Sequence, residues 1–199
     1  MSKRSRQGAK TAAELMAELQ ADPGYVAEQQ RRDEELARKA AEWRAAEAPL
    51  VDELRAAGFE VESAWDLVNT STPYPKALPI LLEHLERPYP DRVREGIARA
   101  LAVRDARFGW PRLVRLYRAE EARTDAKSGF AVALAASADD EVIDEVISLA
   151  REPVHGESRI LLLRGLKRSH APHAHAALEA FTDDPVLGQE ARRLLSGRS

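Results

Sequence analysis

Between residues 73 and 197 one pattern of paired helices recurs about four times, and this recurrence constrains the fold more than any other feature of the chain. The second helix of each pair is the clearest segment. It reads VREGIARALAV at 93–103, KSGFAVALAAS at 127–137, SRILLLRGLKRS at 158–169 and, in degenerate form, LGQEARRLLSG at 187–197. Aligning Leu101, Leu134, Leu166 and Leu194 gives spacings of 33, 32 and 28 residues. A period of that length marks stacked supersecondary units, because one helix pair cannot bury its apolar face alone and a stack of them can. The pairs are predicted at 75–86 with 90–103, 110–120 with 124–137, 140–151 with 156–168, and 172–182 with 185–196. Pro90, Pro111, Pro172 and Pro185 all fall where these helices begin, the position that tolerates proline. Short connections predict antiparallel neighbours.

The segment ahead of the repeats divides by composition. Residues 1–10 carry Lys3, Arg4, Arg6 and Lys10 with no acid and no apolar anchor, which predicts a flexible basic tail. Residues 11–48 predict a helical arm, restarted at Asp22-Pro23 with Asp as N-cap and ending or kinking near Pro49. Leu36, Ala40, Trp43, Glu47, Leu50 and Leu54 step along it by 4, 3, 4, 3 and 4, a fragmentary heptad seam that raises the prospect of a homodimer through residues 22–48. Residues 49–72 predict an irregular capping pair, with helices at 49–57, closed by Gly58, and at 63–69, where Ser63 and Asp66 have capping-box spacing. Residues 73–199 are the repeats.

Ala, Leu, Arg and Glu dominate, all good helix formers, so the fold class is all-α. The chain has no cysteine, which removes disulfides, thiol catalysis and thiolate metal sites, and the expected setting is the cytoplasm. No run approaches 18 apolar residues, so no membrane partner is expected, and the N-terminus lacks the apolar core of a secretory signal. The net charge of −3 is uneven. Residues 11–58 hold eleven acids against six bases, whereas residues 104–199 hold fifteen of each. A generally basic nucleic-acid binder is thereby excluded, and electrostatic attraction must come from a local patch.

Val93-Arg94, Ala98, Ala100-Leu101 and Asp105 follow the pattern Val-Arg, then small-small-x-Ala-Leu, then a turn residue. Lys127, Ala131, Ala133-Leu134 and Asp139 repeat it, and Arg159 with Gly165-Leu166 repeats it more loosely. In this the second helices resemble the HEAT-repeat family, in particular the short bacterial HEAT-like repeats also found in phycobilisome lyases. The resemblance covers about three-fifths of the chain. It implies a right-handed α-α superhelix of about four pairs whose second helices line the concave side.

Two basic columns emerge from the alignment. Arg94, Lys127 and Arg159 occupy one, which reads either as a binding stripe or, as the resemblance implies, as a structural ladder of hydrogen bonds to inter-helix loops and to acids such as Asp105 or Asp139. Arg99, Arg164 and Arg192 occupy the other, interrupted by Val132, with Arg92, Lys167, Arg168 and Arg193 nearby. An arginine-bearing concave face suits an acidic protein or a phosphate backbone. Trp65, Tyr74, Tyr89 and Trp110 sit at helix starts or loops, where aromatics either anchor a partner or close gaps between repeats. His170, His173 and His175 cluster in HAPHAH, with His155 one helix earlier. Their spacing is wrong for a helical ligand pair, and they read as an exposed loop and helix start.

No phosphate loop, nucleophile elbow or kinase signature is present. Some HEAT-like proteins are alkylpurine DNA glycosylases, which need an aromatic cradle on the concave helices. Phe130, the single aromatic of the second-helix set, aligns with Ile97 and Leu162 and reads as core. The function expected is therefore a non-enzymatic protein-binding module, an adaptor or regulator without cofactor or metal, holding another protein on Arg92, Arg99, Arg164, Lys167, Arg168 and Arg192 with Trp65 and Trp110. The alternatives are a nucleic-acid-binding, glycosylase-like protein and an immunity-type protein that neutralises an effector.

Overall fold

The computed structural model describes residues 11–197. Among the described residues there are eleven α-helices, four 3-10 segments and no strand, so the chain is all-α. None of these helices is long and apolar enough to cross a membrane. The predicted basic tail, with Lys3, Arg4, Arg6 and Lys10, lies outside the described residues. Close packing divides the chain into two units, Met1–Glu42 and Trp43–Ser199.

In the first unit, α1 spans Ala12–Ala21 and is followed by the start of α2, which runs Pro23–Ala56. The Asp22 carboxylate accepts the Gly24 N–H at 2.8 Å, the N-cap expected of the Asp-Pro pair. Glu28 pairs with Arg31 at 2.7 Å and Arg32 at 3.0 Å, and Glu35 with Lys39 at 2.7 Å. These pairs are exposed and stabilise a helix by only a few tenths of a kcal/mol each.

The second unit begins inside α2. The helix does not end at Pro49; its hydrogen-bonded course continues to Ala56. Proline removes one N–H and so orphans the carbonyl four residues earlier, at Ala45. Ala45 and Pro49 are both exposed, where water can bond that carbonyl. On the opposite side Leu50, Val51 and Leu54 are buried, and the apolar burial holds the helix through the proline. Gly58, at φ 93°, then terminates it: the Phe59 N–H reaches back to the Leu54 carbonyl at 3.0 Å.

The short helix α3 (Ala64–Val68) carries the predicted capping box. Ser63 Oγ accepts from the Trp65 N–H at 3.1 Å, and the Asp66 carboxylate accepts from the N–H groups of Ser63 at 3.1 Å and Glu62 at 2.7 Å. Buried Glu47 ties α2 to this helix by accepting the Ala64 N–H at 2.6 Å, and burial raises its carboxyl pKa. Replacing Ser63 by Ala is expected to lower stability by about 1 kcal/mol, read as a shift in the urea midpoint at constant slope.

Eight helices follow, α4 (Leu78–His84), α5 (Asp91–Ala100), α6 (Trp110–Ala119), α7 (Asp125–Ser137), α8 (Ile143–Arg151), α9 (Arg159–Arg168), α10 (Pro172–Ala180) and α11 (Gly188–Leu195). Turns of 3-10 helix precede α4, α6 and α9 and follow α10, which accounts for the helices being shorter than their predicted spans. Odd-numbered helices form a row in which α3 packs on α5, α5 on α7, α7 on α9 and α9 on α11. The helices α4, α6, α8 and α10 each pack against the odd-numbered one that follows. Leu101, Leu134 and Leu166 of the periodic column are buried between them, and Leu194, at the end of the row, is half-buried.

Backbone approach in the row depends on small residues. A Cβ on Gly129 of α7 would lie 2.9 Å from the Glu95 carbonyl oxygen and 3.0 Å from Ala98 Cβ of α5. A Cβ on Gly165 of α9 would lie 3.3 Å from the Ala135 backbone of α7.

Candidate functional site

The first basic column turns inward. Lys127 is 1% exposed. Its Nζ donates to the Tyr117 carbonyl, to the Glu120 carbonyl at 3.0 Å and to His155 Nδ1 at 3.0 Å, so the three donors of the ammonium meet three acceptors. It also sits 4.1 Å from the centre of the Tyr117 ring. Because Nδ1 accepts, the imidazole proton belongs on Nε2, which faces Glu152 at 2.9 Å. Tyr117 Oη bonds Ser158 Oγ at 2.9 Å, and Ser158 donates on to the His155 carbonyl at 2.8 Å. Burial pushes the Lys127 pKa down to about 8 and the Tyr117 pKa up to about 12. Burial, and then the Lys127 charge, lower that of His155.

Arg159 has the equivalent role in the next repeat. Its guanidinium donates to the carbonyls of Gly156 and Ala150, each at 3.0 Å, and meets Asp184 at 3.3 Å. Arg94 pairs with Glu120 and lies 5.6 Å from the Phe130 ring centre. Lys127 and Arg159 thus clip each second helix to the C-terminal carbonyls of the helix before it, α6 and α8, where positive charge is favoured. The acids that meet this column are Glu120 and Asp184. Asp139 instead pairs with Arg107 at 3.0 Å, and Asp105 is exposed.

The second column lies on a different side of the row and is partly neutralised within the chain. Arg99 donates to Glu95 at 2.7 Å, and Arg92 meets the same buried carboxylate at 2.5 Å while its guanidinium stacks 4.0 Å over Trp65. Arg168 donates to the Ala135 carbonyl and Arg192 to the Thr182 carbonyl. Arg193 is held by Glu190, 2.6 Å away. Arg164 and Lys167, one helical turn apart on α9, are exposed and have no carboxylate within ion-pair distance among the described residues. The long-range field of Arg164 reaches Glu190, whose pKa is lowered first by its bond to Arg193. Beside these cations the row exposes half-buried Val132, Ile160 and Leu161.

The aromatics divide. Trp110 is 3% exposed and donates its indole N–H to Glu145 at 2.8 Å, which makes it a wall between layers. Tyr74 donates to the Ala100 carbonyl at 2.9 Å, and Tyr89 bonds buried His84 at 2.7 Å. Trp65, Tyr74 and Tyr89 are all half-buried, and the Trp65 ring lies beneath Arg92. Phe130 is wholly buried, as its alignment with Ile97 and Leu162 predicts. His170, His173 and His175 are exposed, and no group of three or more metal-ligating side chains occurs among the described residues. His155, one helix earlier, is buried. Glu95 was missed, although its spacing, three residues after Arg92 and four before Arg99, carried the signal.

Of the heptad seam, Glu47, Leu50 and Leu54 are buried in the second unit and Trp43 packs against its core. Leu36 is 61% exposed. No family model matches the chain, and none of the characterised proteins or solved structures compared with it does.

Proposed function

We propose that the repeats build a HEAT-like right-handed superhelix and that the chain is a non-enzymatic protein-binding module of the cytoplasm, an adaptor or regulator whose partner sits on the face of α5, α7, α9 and α11. One observation carries this reading. Arg164 and Lys167 present unpaired charge beside the apolar surface of Val132, Ile160 and Leu161, while most neighbouring cations of that face are already engaged inside the chain. Apolar surface rimmed by unsatisfied charge is the composition of a protein-binding face. A phosphate backbone is a poorer complement, because a run of phosphates needs many free cations in series.

The experiment is a tagged capture from native lysate, with and without nuclease, repeated with Arg164→Glu and Lys167→Glu combined. A protein retained in stoichiometric amount after nuclease, and reduced at least about tenfold by the double reversal, is the expected result. Nucleic acid in the eluate, with every protein lost on digestion, would refute the reading.

A further inference from the structure

Two adjoining hollows lie where α5, α7 and α9 end, and they share Arg104 as a common wall. The larger, about 460 Å³, is mainly apolar, with Leu67, Val68, Tyr74, Leu78, Val103 and Val132 in its lining. The smaller, about 290 Å³, is charged and is walled by Arg104, Arg107, Arg168 and His170 together with Asp139 and Asp140. Within it the acids are already engaged. Asp139 is taken by Arg107 at 3.0 Å, and Asp140 accepts from Ser169 Oγ at 2.6 Å and the His170 N–H at 3.1 Å. Arg104 is exposed and has no hydrogen bond or ion pair among the described residues. Arg168 spends one N–H on the Ala135 carbonyl. Burial, and then the neighbouring charge of Arg104, hold the Arg168 pKa below its usual value. Two guanidiniums therefore share a hollow with no carboxylate bridging them, beside an apolar cavity large enough for a branched side chain.

We propose that the two hollows form one docking groove for a protein segment in which an acidic residue stands next to an apolar one, the carboxylate bridging Arg104 and Arg168 and the apolar side chain entering beside Val103 and Val132. The inference rests on the protein-binding reading and names what the partner must offer. A planar carboxylate matches a guanidinium pair. A phosphodiester chain suits the groove less well, because a run of phosphates needs free cations in series and the other arginines of the lining, Arg99 and Arg107, are already paired with Glu95 and Asp139.

The test follows the methyl signals of Val103 and Val132 in the full chain during titration with a capped hexapeptide alternating Glu and Leu. A Gln-for-Glu peptide and a short oligothymidylate are titrated in parallel. The acidic peptide should shift both valines, the Gln peptide should bind more weakly, and Arg104→Glu should weaken binding at least about tenfold, while Arg151→Glu, exposed on α8 and outside the groove, leaves it within about twofold. Arg104 is exposed and unbonded, so the reversal should fold; Arg104→Ala, with an otherwise unchanged methyl spectrum, provides the second variant. No shift at these valines, equal affinity in Arg104→Glu, or a stronger response to oligothymidylate would overturn the groove. If the peptide fails yet a protein captured from lysate is still released by reversing Arg164 and Lys167, the groove alone falls. If the capture yields only nucleic acid, the underlying reading falls with it.

Discussion

Truncating Lys127 to alanine should destabilise the second unit by about 3–5 kcal/mol. The change removes the shared partner of two backbone carbonyls and of His155 Nδ1, and it empties the space of a long, 1% exposed side chain. Each orphaned buried group costs about 1–3 kcal/mol, and the cavity adds to that. Lys127→Met keeps most of the volume and loses only the bonds, so its urea midpoint should fall between wild type and Lys127→Ala. A Met variant as unstable as Ala would show that the bonds, not the packing, dominate.

The same residue has a pH signature. Its folded pKa is about 8 against 10.5 for the free side chain. Below about pH 8 both folded and unfolded chains hold the proton, and the burial penalty is constant. Between about 8 and 10.5 the unfolded chain binds more protons, so the Lys127 contribution to stability rises with pH. The stability difference between wild type and Lys127→Met should therefore shift in favour of wild type across that window. A flat difference would contradict the buried ammonium. His155 acts at the acid side: its lowered pKa means that stability is lost as pH falls below about 6.5, where the unfolded imidazole takes up its proton first.

Gly129→Val should be comparably disruptive, at about 1–3 kcal/mol or more, because the atom it meets first is backbone. With a Cβ only 2.9 Å from the Glu95 carbonyl, α7 cannot keep its distance from α5. In a domain of this size that corresponds to roughly 2–12 °C in Tm. Gly165→Ala, at 3.3 Å, should cost less, since a shift of a few tenths of an ångström relieves it. Thermal melts of the two variants side by side check the order; a Gly129→Val melting point equal to wild type would mean that the row is packed more loosely than these distances require.

Much of the helical framework was legible because it depends on local chemistry. Proline at helix starts, the Ser63–Asp66 box and the leucine column all encode their structure within a few residues. Pro49 does not end α2 because the residues that carry the helix past it, Leu50 and Leu54, are buried against parts of the chain distant in sequence. The ladder's cations were visible by repeat alignment, but their acids were not. Glu120 and Asp184 sit in connections of unequal length, so no fixed offset marks them. The pairing inside the second column lies closer in sequence: Glu95, within the same helix, holds both Arg92 and Arg99. Arg104 escaped notice because it lies outside every aligned column and gains meaning only where α5, α7 and α9 end side by side.

The row of odd-numbered helices has a mechanical corollary. Within the row each helix packs on the next, with nothing comparable fastening α3 to α9 or α5 to α11. Such an arrangement behaves as a spring whose compliance is the sum of its joints, since stability is shared between neighbours and not pooled. Small rotations at the Gly129 and Gly165 joints would add up along the row, so the row can yield as a whole even where every joint is tight. A bound segment reaching across several helices would act as a splint, and the molecule's stiffness would then report whether the segment is there.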